Sequence, residues 1–134
     1  MVTWKNLDTI DSYQELTKVA KVNLAEVMAG ENGATRVKTY SSPIAEGLVY
    51  NYAAKQVDDS TLAALAKLAD EMQLVDKFEA LYNGEVVNTG EKRMVLHHMT
   101  RGQLGNAVVA DGGDKRAFYV EQQNRIADLA NKVH

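Results

Sequence analysis

The chain has 134 residues, a length that fits one globular domain or one piece of a larger protein. Its net charge of -3 argues against nucleic acids and anionic membranes as partners, and the absence of cysteine excludes disulfides, thiol catalysis and thiolate metal sites. No window approaches the roughly 18 apolar residues of a membrane span, and the N-terminus has no apolar run of signal-peptide length. We therefore expect a soluble, cytoplasmic protein.

The first part of the chain predicts two short helices followed by a β-hairpin. Asp11 and Ser12 are capping residues for a helix in DSYQELTKVAKV, and Asn23 caps a second helix in LAEVMAG, which ENG ends. Two β-prone runs follow, TRVKTY and GLVYNY. Because the connection SSPIAE is too short for a crossover, we expect these two strands to pair in an antiparallel hairpin.

Two further helices are predicted in the middle of the chain. The clearer one is VDDSTLAALAKLADEM, which Asp59 or Ser60 caps. Its apolar residues recur at helical spacing and should share one face: Leu62, Leu65, Leu68, Ala69 and Met72. A shorter helix, VDKFEALY, ends at Asn83-Gly84. The side chains that we expect to point inward from it are Val75, Phe78 and Tyr82.

The segment GEVVNTGEKRMVLHHMTRG, from Gly84 to Gly102, holds two of the three histidines of the chain. We predict a helix here, capped by Asn88 or Thr89, with Glu91 in its first turn near the positive end of the helix dipole. The apolar residues of this helix that should face the core are Val95, Leu96 and Met99.

The last part of the chain predicts a short strand and a long helix. The strand lies at 107–110 within the glycine-rich GQLGNAVVADGGDK, and the helix is RAFYVEQQNRIADLANKV. The apolar stripe of that helix is Ile126, Leu129, Ala130 and Val133. Since no strand–helix–strand alternation occurs, we expect no parallel sheet. The predicted fold class is mainly α with a small antiparallel β-hairpin, an α+β arrangement.

The adjacent His97 and His98 are the most obvious candidates for chemistry. Neighbouring side chains on a helix point about 100° apart, so the two rings cannot chelate one metal ion. Arg93 and Arg101 each lie four residues from His97, and their charges also disfavour a metal. Glu91 lies six residues from His97 and is better interpreted as stabilising the helix dipole than as an acid–base partner. We predict hydrogen-bonded, structural histidines.

Other polar features also favour structure over chemistry. DGGDK lacks the spacing of both glycine-rich phosphate motifs, and its carboxylates would repel phosphate, so we predict a turn. Tyr40, Tyr50 and Tyr52 fall on the predicted strand pair and are interpreted as cross-strand packing, with ligand stacking as the alternative. No serine lies beside an evident histidine–carboxylate pair, which leaves nucleophilic catalysis unsupported. The serines considered are Ser12, Ser41, Ser42 and Ser60.

The segment from Gly84 resembles a signature of the N-terminal part of glucose-6-phosphate isomerases, of the form G-E-x-x-N-x-T-E-x-R-A-V-L-H-x-A-L-R. The residues that match it are Gly84-Glu85, Asn88, Glu91, Arg93, Val95-Leu96-His97 and Arg101. Upstream, GLVYNYAAKQVDDSTLAALAKLADE is similar to a second segment of the family. Downstream, AVVADGGD and the helix that follows continue the resemblance, which runs from about Arg36 to about Val133.

Several positions depart from the family pattern. The threonine of the signature is Gly90, two alanines are Met94 and Met99, and a leucine is Thr100. The family segment D-Y-S-K reads Asn51-Tyr52-Ala53-Ala54. We interpret these changes as divergence within the family or weaker constraint, since the order and spacing of the matching segments are kept.

The resemblance implies that residues 1–134 are a single N-terminal helical domain of an otherwise α/β isomerase, whose sugar-phosphate-binding domains are absent from this chain. That family interconverts glucose 6-phosphate and fructose 6-phosphate through an enediol, in glycolysis and gluconeogenesis, without a metal or redox cofactor. Its catalytic motifs lie downstream of every segment that this chain matches. The resemblance therefore assigns no catalytic, cofactor-binding or metal-binding residue here; His97 is not the ring-opening histidine and Glu91 is not the base.

The partners implied are the remainder of the isomerase or a second subunit of a homodimer, and sugar phosphate only through the missing domains. The chain alone is expected to be inactive. The alternative hypothesis is an independently encoded helical interaction module that binds a partner such as a full-length isomerase subunit. A third hypothesis, an independent enzyme that uses His97 or His98, is the least favoured.

Overall fold

The structure is a computed structural model that describes residues 2–133. About 52% of it is helical, and its strands form three small antiparallel pairs. The predicted class is confirmed, although three hairpins are present in the described residues where one was expected. The chain divides into two compact units. One unit is Lys5–Met72, and the other combines the chain from Gln73 onwards with the N-terminal residues up to Trp4.

The first unit, Lys5–Met72, contains four α-helices and one β-hairpin. A short 3-10 helix at Leu7–Thr9 precedes them. The elements are α1 (Asp11–Leu16), α2 (Leu24–Val27), α3 (Gly30–Thr39), β1 (Ser41–Ala45), β2 (Leu48–Asn51) and α4 (Asp59–Glu71).

Helix α1 is shorter than predicted, and its N-terminus is stabilised by another helix. Ile10 occupies the cap position and supplies no side-chain hydrogen bond, so the predicted capping by Asp11 and Ser12 is wrong. Instead, the backbone N–H of Ser12 donates to Oε2 of Glu71, the last residue of α4, at 3.0 Å. This bond satisfies one of the free N–H groups of the first helical turn. Ile10 is only 1% exposed. The packing of α1 on α4 thus determines where α1 begins.

Helices α2 and α3 replace a predicted helix and a predicted strand. Asn23 caps α2 as predicted, because its side chain accepts a hydrogen bond from the N–H of Ala25 at 3.2 Å. The predicted end at Glu31-Asn32-Gly33 is wrong, since these residues lie within α3. TRVKTY, predicted as a strand, forms the last part of α3 and the residue after it. A Cβ atom on Gly33 would lie 2.2 Å from the carbonyl oxygen of Met28, so only glycine permits this close approach.

The hairpin of β1 and β2 is antiparallel as predicted. Strand β1, however, is formed by residues that were expected to connect the two strands. Ser42 lies opposite Tyr50 and Pro43 lies opposite Val49, with an irregularity after Pro43. Proline is tolerated here because a two-stranded hairpin has outer edges where no N–H donor is needed. Apart from Ser41, every residue of both strands is exposed.

Helix α4 is capped one residue earlier than predicted. Asp58, not Asp59 or Ser60, is the cap: its Oδ1 accepts from the N–H of Thr61 at 2.8 Å and from the Ser60 hydroxyl at 2.7 Å. These hydrogen bonds, that of the Thr61 backbone first, lower the pKa of Asp58 to about 2. On the predicted apolar face, Leu65 is 40% exposed and the other four residues are half-buried.

The second unit contains two α-helices, two hairpins and a 3-10 helix. They are α5 (Leu74–Tyr82), β3 (Val86–Asn88), β4 (Arg93–Met94), the 3-10 helix His97–Thr100, β5 (Val109–Ala110), β6 (Gly113–Asp114) and α6 (Lys115–Val133). The buried apolar cluster of this unit is Leu96, Met99 and Val108, and Met94 and Tyr119 pack against it.

Helix α5 ends where the sequence predicted but buries less than expected. It stops before Asn83-Gly84, and Gly84 adopts a φ of 73° that favours glycine. A Cβ atom on Gly84 would lie 2.6 Å from the side chain of Val108. Tyr82 is half-buried, but Val75 and Phe78 are 70% and 54% exposed, so the prediction that they face inward is wrong for this chain.

The helix predicted between Asn88 and Arg101 is absent. The side chain of Asn88 accepts a hydrogen bond from the N–H of Glu91 at 3.1 Å. This hydrogen bond closes the turn between β3 and β4 and does not cap a helix. Lys92 then adopts a φ of 54°, which is incompatible with a continuing right-handed helix. Only residues 97–100 are helical, as one turn of 3-10 helix. Asn88 was therefore correctly predicted to accept a local hydrogen bond, but it does so in a turn and not at the start of a helix.

The end of the chain follows the prediction closely. Strand β5 occupies the second half of the predicted 107–110 segment and pairs with β6. Asp111 and Gly112 have φ values of 53° and 76°, the left-handed pair of a two-residue hairpin turn. Helix α6 follows, with the side chain of Asp114 accepting from the N–H of Ala117 at 2.9 Å. No residue of α6 is buried.

Candidate functional site

The two histidines diverge from each other on the 3-10 helix, where successive side chains point about 120° apart. His97 is exposed. The ring of His98 packs edge-on against Tyr82, with 4.9 Å between ring centroids. Both ring nitrogens of His98 are inaccessible and have no hydrogen-bond partner among residues 2–133, so the hydrogen-bonded role predicted for it is not found there. The contact with Tyr82 gives His98 a packing role.

Glu91 and His97, separated on the predicted helix, both line one open hollow of about 660 Å³ in the second unit. Hairpin β3–β4 and the first residues of α6 form its other walls. Nη1 of Arg93 lies 3.9 Å from Oε2 of Glu91, and both side chains are largely exposed. No serine or threonine is among the residues that line the hollow, so its carboxylate and imidazole have no serine or threonine hydroxyl to activate there.

The other side of this hollow carries a second charge pair. Nζ of Lys115 lies 2.6 Å from Oδ2 of Asp111, one helical turn before it in sequence. The hydrogen bond and the positive charge of Lys115 lower the pKa of the Asp111 carboxyl. The DGGDK segment is thus a hairpin turn, as predicted. Its carboxylates accept from Lys115 and from the N-terminal turn of α6, and therefore occupy the donors that a phosphate would need.

The three tyrosines predicted to cluster do so in the first unit, although only Tyr50 lies on a strand, since Tyr40 caps α3 and Tyr52 follows β2. The ring centroids of Tyr40 and Tyr52 lie 5.5 Å apart and those of Tyr50 and Tyr52 lie 5.8 Å apart. The Tyr40 hydroxyl donates to Oδ1 of Asp59 at 2.9 Å, and this hydrogen bond raises the pKa of Tyr40. Tyr50 and Tyr52 also border a shallow apolar depression of about 300 Å³. Packing between the rings accounts for the cluster without a ligand.

Arg36 is the polar residue that the sequence reasoning missed. It is 7% exposed, and its guanidinium donates to three backbone carbonyls: Ala53 at 2.8 Å, Lys55 at 3.1 Å and Val57 at 2.6 Å. The guanidinium carbon also lies 4.2 Å from the ring centroid of Tyr40. These contacts join α3 to the segment that leads into α4. Nothing in the sequence around Arg36 signals them, because the acceptors are backbone groups 17 to 21 residues away.

Ser41 and Ser60, two of the serines considered above, have structural partners. Ser60 donates to Asp58 at the start of α4, and the Ser41 hydroxyl donates to the carbonyl of Lys38 at the end of α3. The backbone N–H of Ser12 donates to Glu71, and Ser12 lowers the pKa of that carboxyl, whereas the buried Ser12 hydroxyl has no hydrogen-bond partner among the described residues. Within residues 2–133 no three histidine or carboxylate side chains converge as metal ligands would. In the same range no helix is long and apolar enough to cross a membrane.

Comparison with known proteins identifies relatives along the whole chain. The sequence model of the family described as phosphoglucose isomerase matches residues 51–134. The glucose-6-phosphate isomerase of Treponema denticola is 47% identical over 136 residues, which cover 98% of this chain. The glucose-6-phosphate isomerase of Borreliella afzelii is 35% identical over 136 residues and covers all of it. That of Shewanella woodyi is 36% identical over 103 residues, or 77% of the chain.

The chain is much shorter than these relatives. The match covers 26% of the Treponema denticola protein, 25% of the Borreliella afzelii protein and 19% of the Shewanella woodyi protein. The chain thus spans about a quarter of the length of the curated relatives that match it fully. The family model begins at Asn51, whereas the relatives also match the residues before it. Both units therefore have matching segments in these isomerases. The chain belongs to the phosphoglucose isomerase family.

Proposed function

We propose that this chain is the N-terminal structural portion of a glucose-6-phosphate isomerase, which interconverts glucose 6-phosphate and fructose 6-phosphate through an enediol. The observation that carries the proposal is the match of the whole chain to about a quarter of proteins that bear this name. In this reading the two units support the sugar-phosphate-binding domains and do not bind the reacting carbons.

We further propose that no catalytic, cofactor-binding or metal-binding residue lies in these 134 positions. The geometry supports this for the most plausible group, because Glu91 and His97 line an open hollow in which Arg93 pairs with Glu91. A catalytic base needs its proton donor or acceptor within hydrogen-bond reach and a site that excludes water. The ring nitrogens of His98 are buried among the described residues, so a substrate does not reach them in this structure.

The experiment compares the isolated chain with a full-length chimera. In the chimera, these 134 residues replace the matching segment of the Treponema denticola isomerase, which is 47% identical. Conversion of glucose 6-phosphate to fructose 6-phosphate is followed by a coupled assay, with the natural full-length enzyme as the positive control. We expect no turnover above the blank for the isolated chain and turnover for the chimera. Activity of the purified isolated chain, or a folded chimera without activity, contradicts the proposal.

Exposed apolar side chains favour a second candidate function, a helical interaction module that binds a full-length isomerase subunit. On hairpin β1–β2, Ile44 and Val49 are 59% and 60% exposed, and on α5 Val75 is 70% exposed. Where such side chains form one contiguous patch, the patch often marks an interaction surface. Titration of the fluorescently labelled chain with purified full-length isomerase should then saturate at one chain per subunit. A linear, non-saturating signal that bovine serum albumin also produces would eliminate this function.

Three properties of the whole protein are proposed with the main function: a cytoplasmic location, a homodimer, and a role in glycolysis and gluconeogenesis. We also propose that residues 1–134 act as one domain. The relatives support this because they span both units. Trp4 belongs to the second unit, so its fluorescence can be compared with far-UV circular dichroism during urea unfolding. Coincident transitions are expected for one cooperative domain, and separated transitions would contradict it.

A further inference from the structure

Helix α6 has two halves with different surroundings. In the first half, Arg116 donates to the carbonyl of Met99, Gln123 donates to the carbonyl of Thr100 at 2.9 Å, and Tyr119 packs against the apolar cluster. From Asn124 to Val133 every residue is exposed, and no side chain in that range hydrogen-bonds to another described element. The second half is thus held only through its continuity with the first.

The second half nevertheless carries a regular apolar stripe. Ile126, Leu129 and Val133 are 68%, 63% and 77% exposed, and their spacing of three and then four residues places them on one side of the helix. The same spacing of four and then three residues, continued towards the N-terminus, leads from Ile126 to Gln122 and then to Tyr119. Tyr119 packs against the apolar cluster of its own unit. The stripe is therefore a continuation of a packed face, with the seven-residue period of helix-to-helix packing.

The two charged residues nearest the stripe have the same sign. Arg125 and Lys132 each directly precede an apolar residue of the stripe, and both flank it on the same side. Ala130 lies on the other side, and Asn124 and Asn131 lie on the opposite face of the helix at about 100° per residue. Asp128 lies further from the stripe than the two cations, one helical turn from each of them. A helix that packs along the stripe would meet two cations on one flank, so acidic residues at its edge would complement them.

We propose that the stripe of Ile126, Leu129 and Val133 is the docking surface for a helix with an apolar seam and acidic flanking residues. This helix belongs to the three-quarters of a full-length isomerase that this chain does not span. The inference rests on the proposed function. It deepens that function by naming the surface through which this segment is held in the enzyme and the chemistry of the element that covers it.

A second copy of this chain fits the stripe less well. Three large apolar side chains are far fewer than the roughly 20–30 residues that a standard interface buries on each partner. In an antiparallel pair the flanks would bring Arg125 and Lys132 of one chain beside those of the other, and the like charges would repel. In a parallel pair the cations would lie opposite Ala130, without a carboxylate.

The test uses the full-length chimera described above and the isolated chain, each with the same substitutions. Ile126→Glu with Leu129→Glu places two charges on the stripe. Asn124→Glu with Asn131→Glu places two charges on the opposite face and is the matched control. Arg125→Glu with Lys132→Glu reverses the charge beside the stripe and is called the flank pair. Thermal midpoints are measured for all variants, isomerase activity for the chimeras, and sedimentation for the isolated chain.

We expect the stripe pair to lower the midpoint of the chimera by at least about 5 °C and to change that of the isolated chain by less than about 2 °C. The control pair should change neither by more than about 2 °C. The flank pair should lower the midpoint of the chimera by an amount that shrinks in high salt.

Other outcomes have defined meanings. Equal effects of the stripe and control pairs in the chimera would overturn the proposal, as would a flank pair that leaves the midpoint unchanged or raises it. A dimer of the isolated chain that the stripe pair dissociates would identify a second copy as the occupant and would also overturn it. If the expected midpoints are found in a folded chimera without isomerase activity, the docking surface stands and the proposed function fails.

Discussion

The two compact units differ in what holds their interiors together. In Lys5–Met72 the most connected buried group is a cation, Arg36, whose guanidinium donates to three backbone carbonyls. In the second unit the centre is apolar, and Met99 is 0% exposed within its cluster. Hydrogen bonds to a buried charge are directional and concentrated on one side chain, whereas apolar burial is distributed over many atoms. The first unit should therefore be the more sensitive to a single substitution.

The largest effect is expected for Arg36→Leu, which removes three hydrogen bonds and leaves the carbonyl of Ala53 without its donor. We expect a loss of about 4–6 kcal/mol in the free energy of unfolding, because each hydrogen bond to a charged group contributes about 1.5–3 kcal/mol. The loss is measured by urea denaturation with far-UV circular dichroism. Arg36→Lys keeps the charge, but an ammonium group lacks the planar donor geometry with which the guanidinium reaches three carbonyls. This variant should therefore be destabilised by less than Arg36→Leu but should remain less stable than the parent chain. A loss below about 1 kcal/mol for Arg36→Leu would show that the first unit does not depend on this cation.

Met99→Ala tests the apolar interior of the second unit. Removing a fully buried methionine side chain should cost about 3 kcal/mol, from lost burial and the cavity left behind. Met28→Ala is the matched control, since Met28 is 36% exposed, and it should cost less than about 1 kcal/mol. Urea midpoints of the two variants make the comparison. If Met99→Ala proves as destabilising as Arg36→Leu, the proposed difference between the units is lost.

A pair of glycine variants compares one hairpin turn with the packed end of α5. Gly47 in the first unit and Gly84 in the second have φ values of 71° and 73°, so alanine has the same backbone cost of about 1 kcal/mol at both. Only at Gly84 would the new Cβ atom collide with Val108, at 2.6 Å. We expect Gly84→Ala to be the more destabilising by about 1–2 kcal/mol. Equal losses would mean that Val108 moves aside at little cost.

The smallest effect is expected at the cap of α4. The hydrogen bonds to Asp58 lower its pKa from 3.8 to about 2 in the folded chain, so the stability that its charge contributes is present above about pH 4. That contribution is lost as the pH falls through 2, because the folded state must then protonate the carboxyl as well. Asp58→Ala should lower the thermal midpoint by a few degrees at pH 7. The two midpoints should converge near pH 2, and a constant difference would exclude this linkage.

Elements specified by neighbouring residues were predictable from the sequence. The Asn23 cap, the Asn83-Gly84 helix end and the Asp111-Gly112 turn all act within a few residues, and each is present. The helical structure of 35–39, the first five residues of the predicted strand TRVKTY, was not predictable, because these β-prone residues are held as a helix by bonds from Arg36 to carbonyls in another part of the unit. The prediction of a helix at 88–101 was wrong for a similar reason, since the apolar residues of this segment pack against Val108 and not along one helical face.

The candidate site shows the same division. Sequence reasoning kept Glu91 and His97 apart because it placed them on one helix, whereas the β3–β4 turn brings both to the same hollow. It also gave His98 a hydrogen-bonded role, and the structure gives that ring an aromatic contact with Tyr82. Both outcomes depend on the path of the backbone between residues 88 and 97, and a turn changes every side-chain direction that follows it.

The family, the fold class and those helix ends that carry their own capping or stop residues could be predicted from the amino-acid sequence alone. Matching segments in the right order identify an ancestor even where single residues have changed, and local hydrogen bonds need only nearby atoms. Three features became visible only in the folded chain: Arg36 is buried, Glu71 stabilises the start of α1, and the stripe on α6 is exposed. These features depend on groups distant in sequence, and the free energy of burial is defined only once the chain has brought them together.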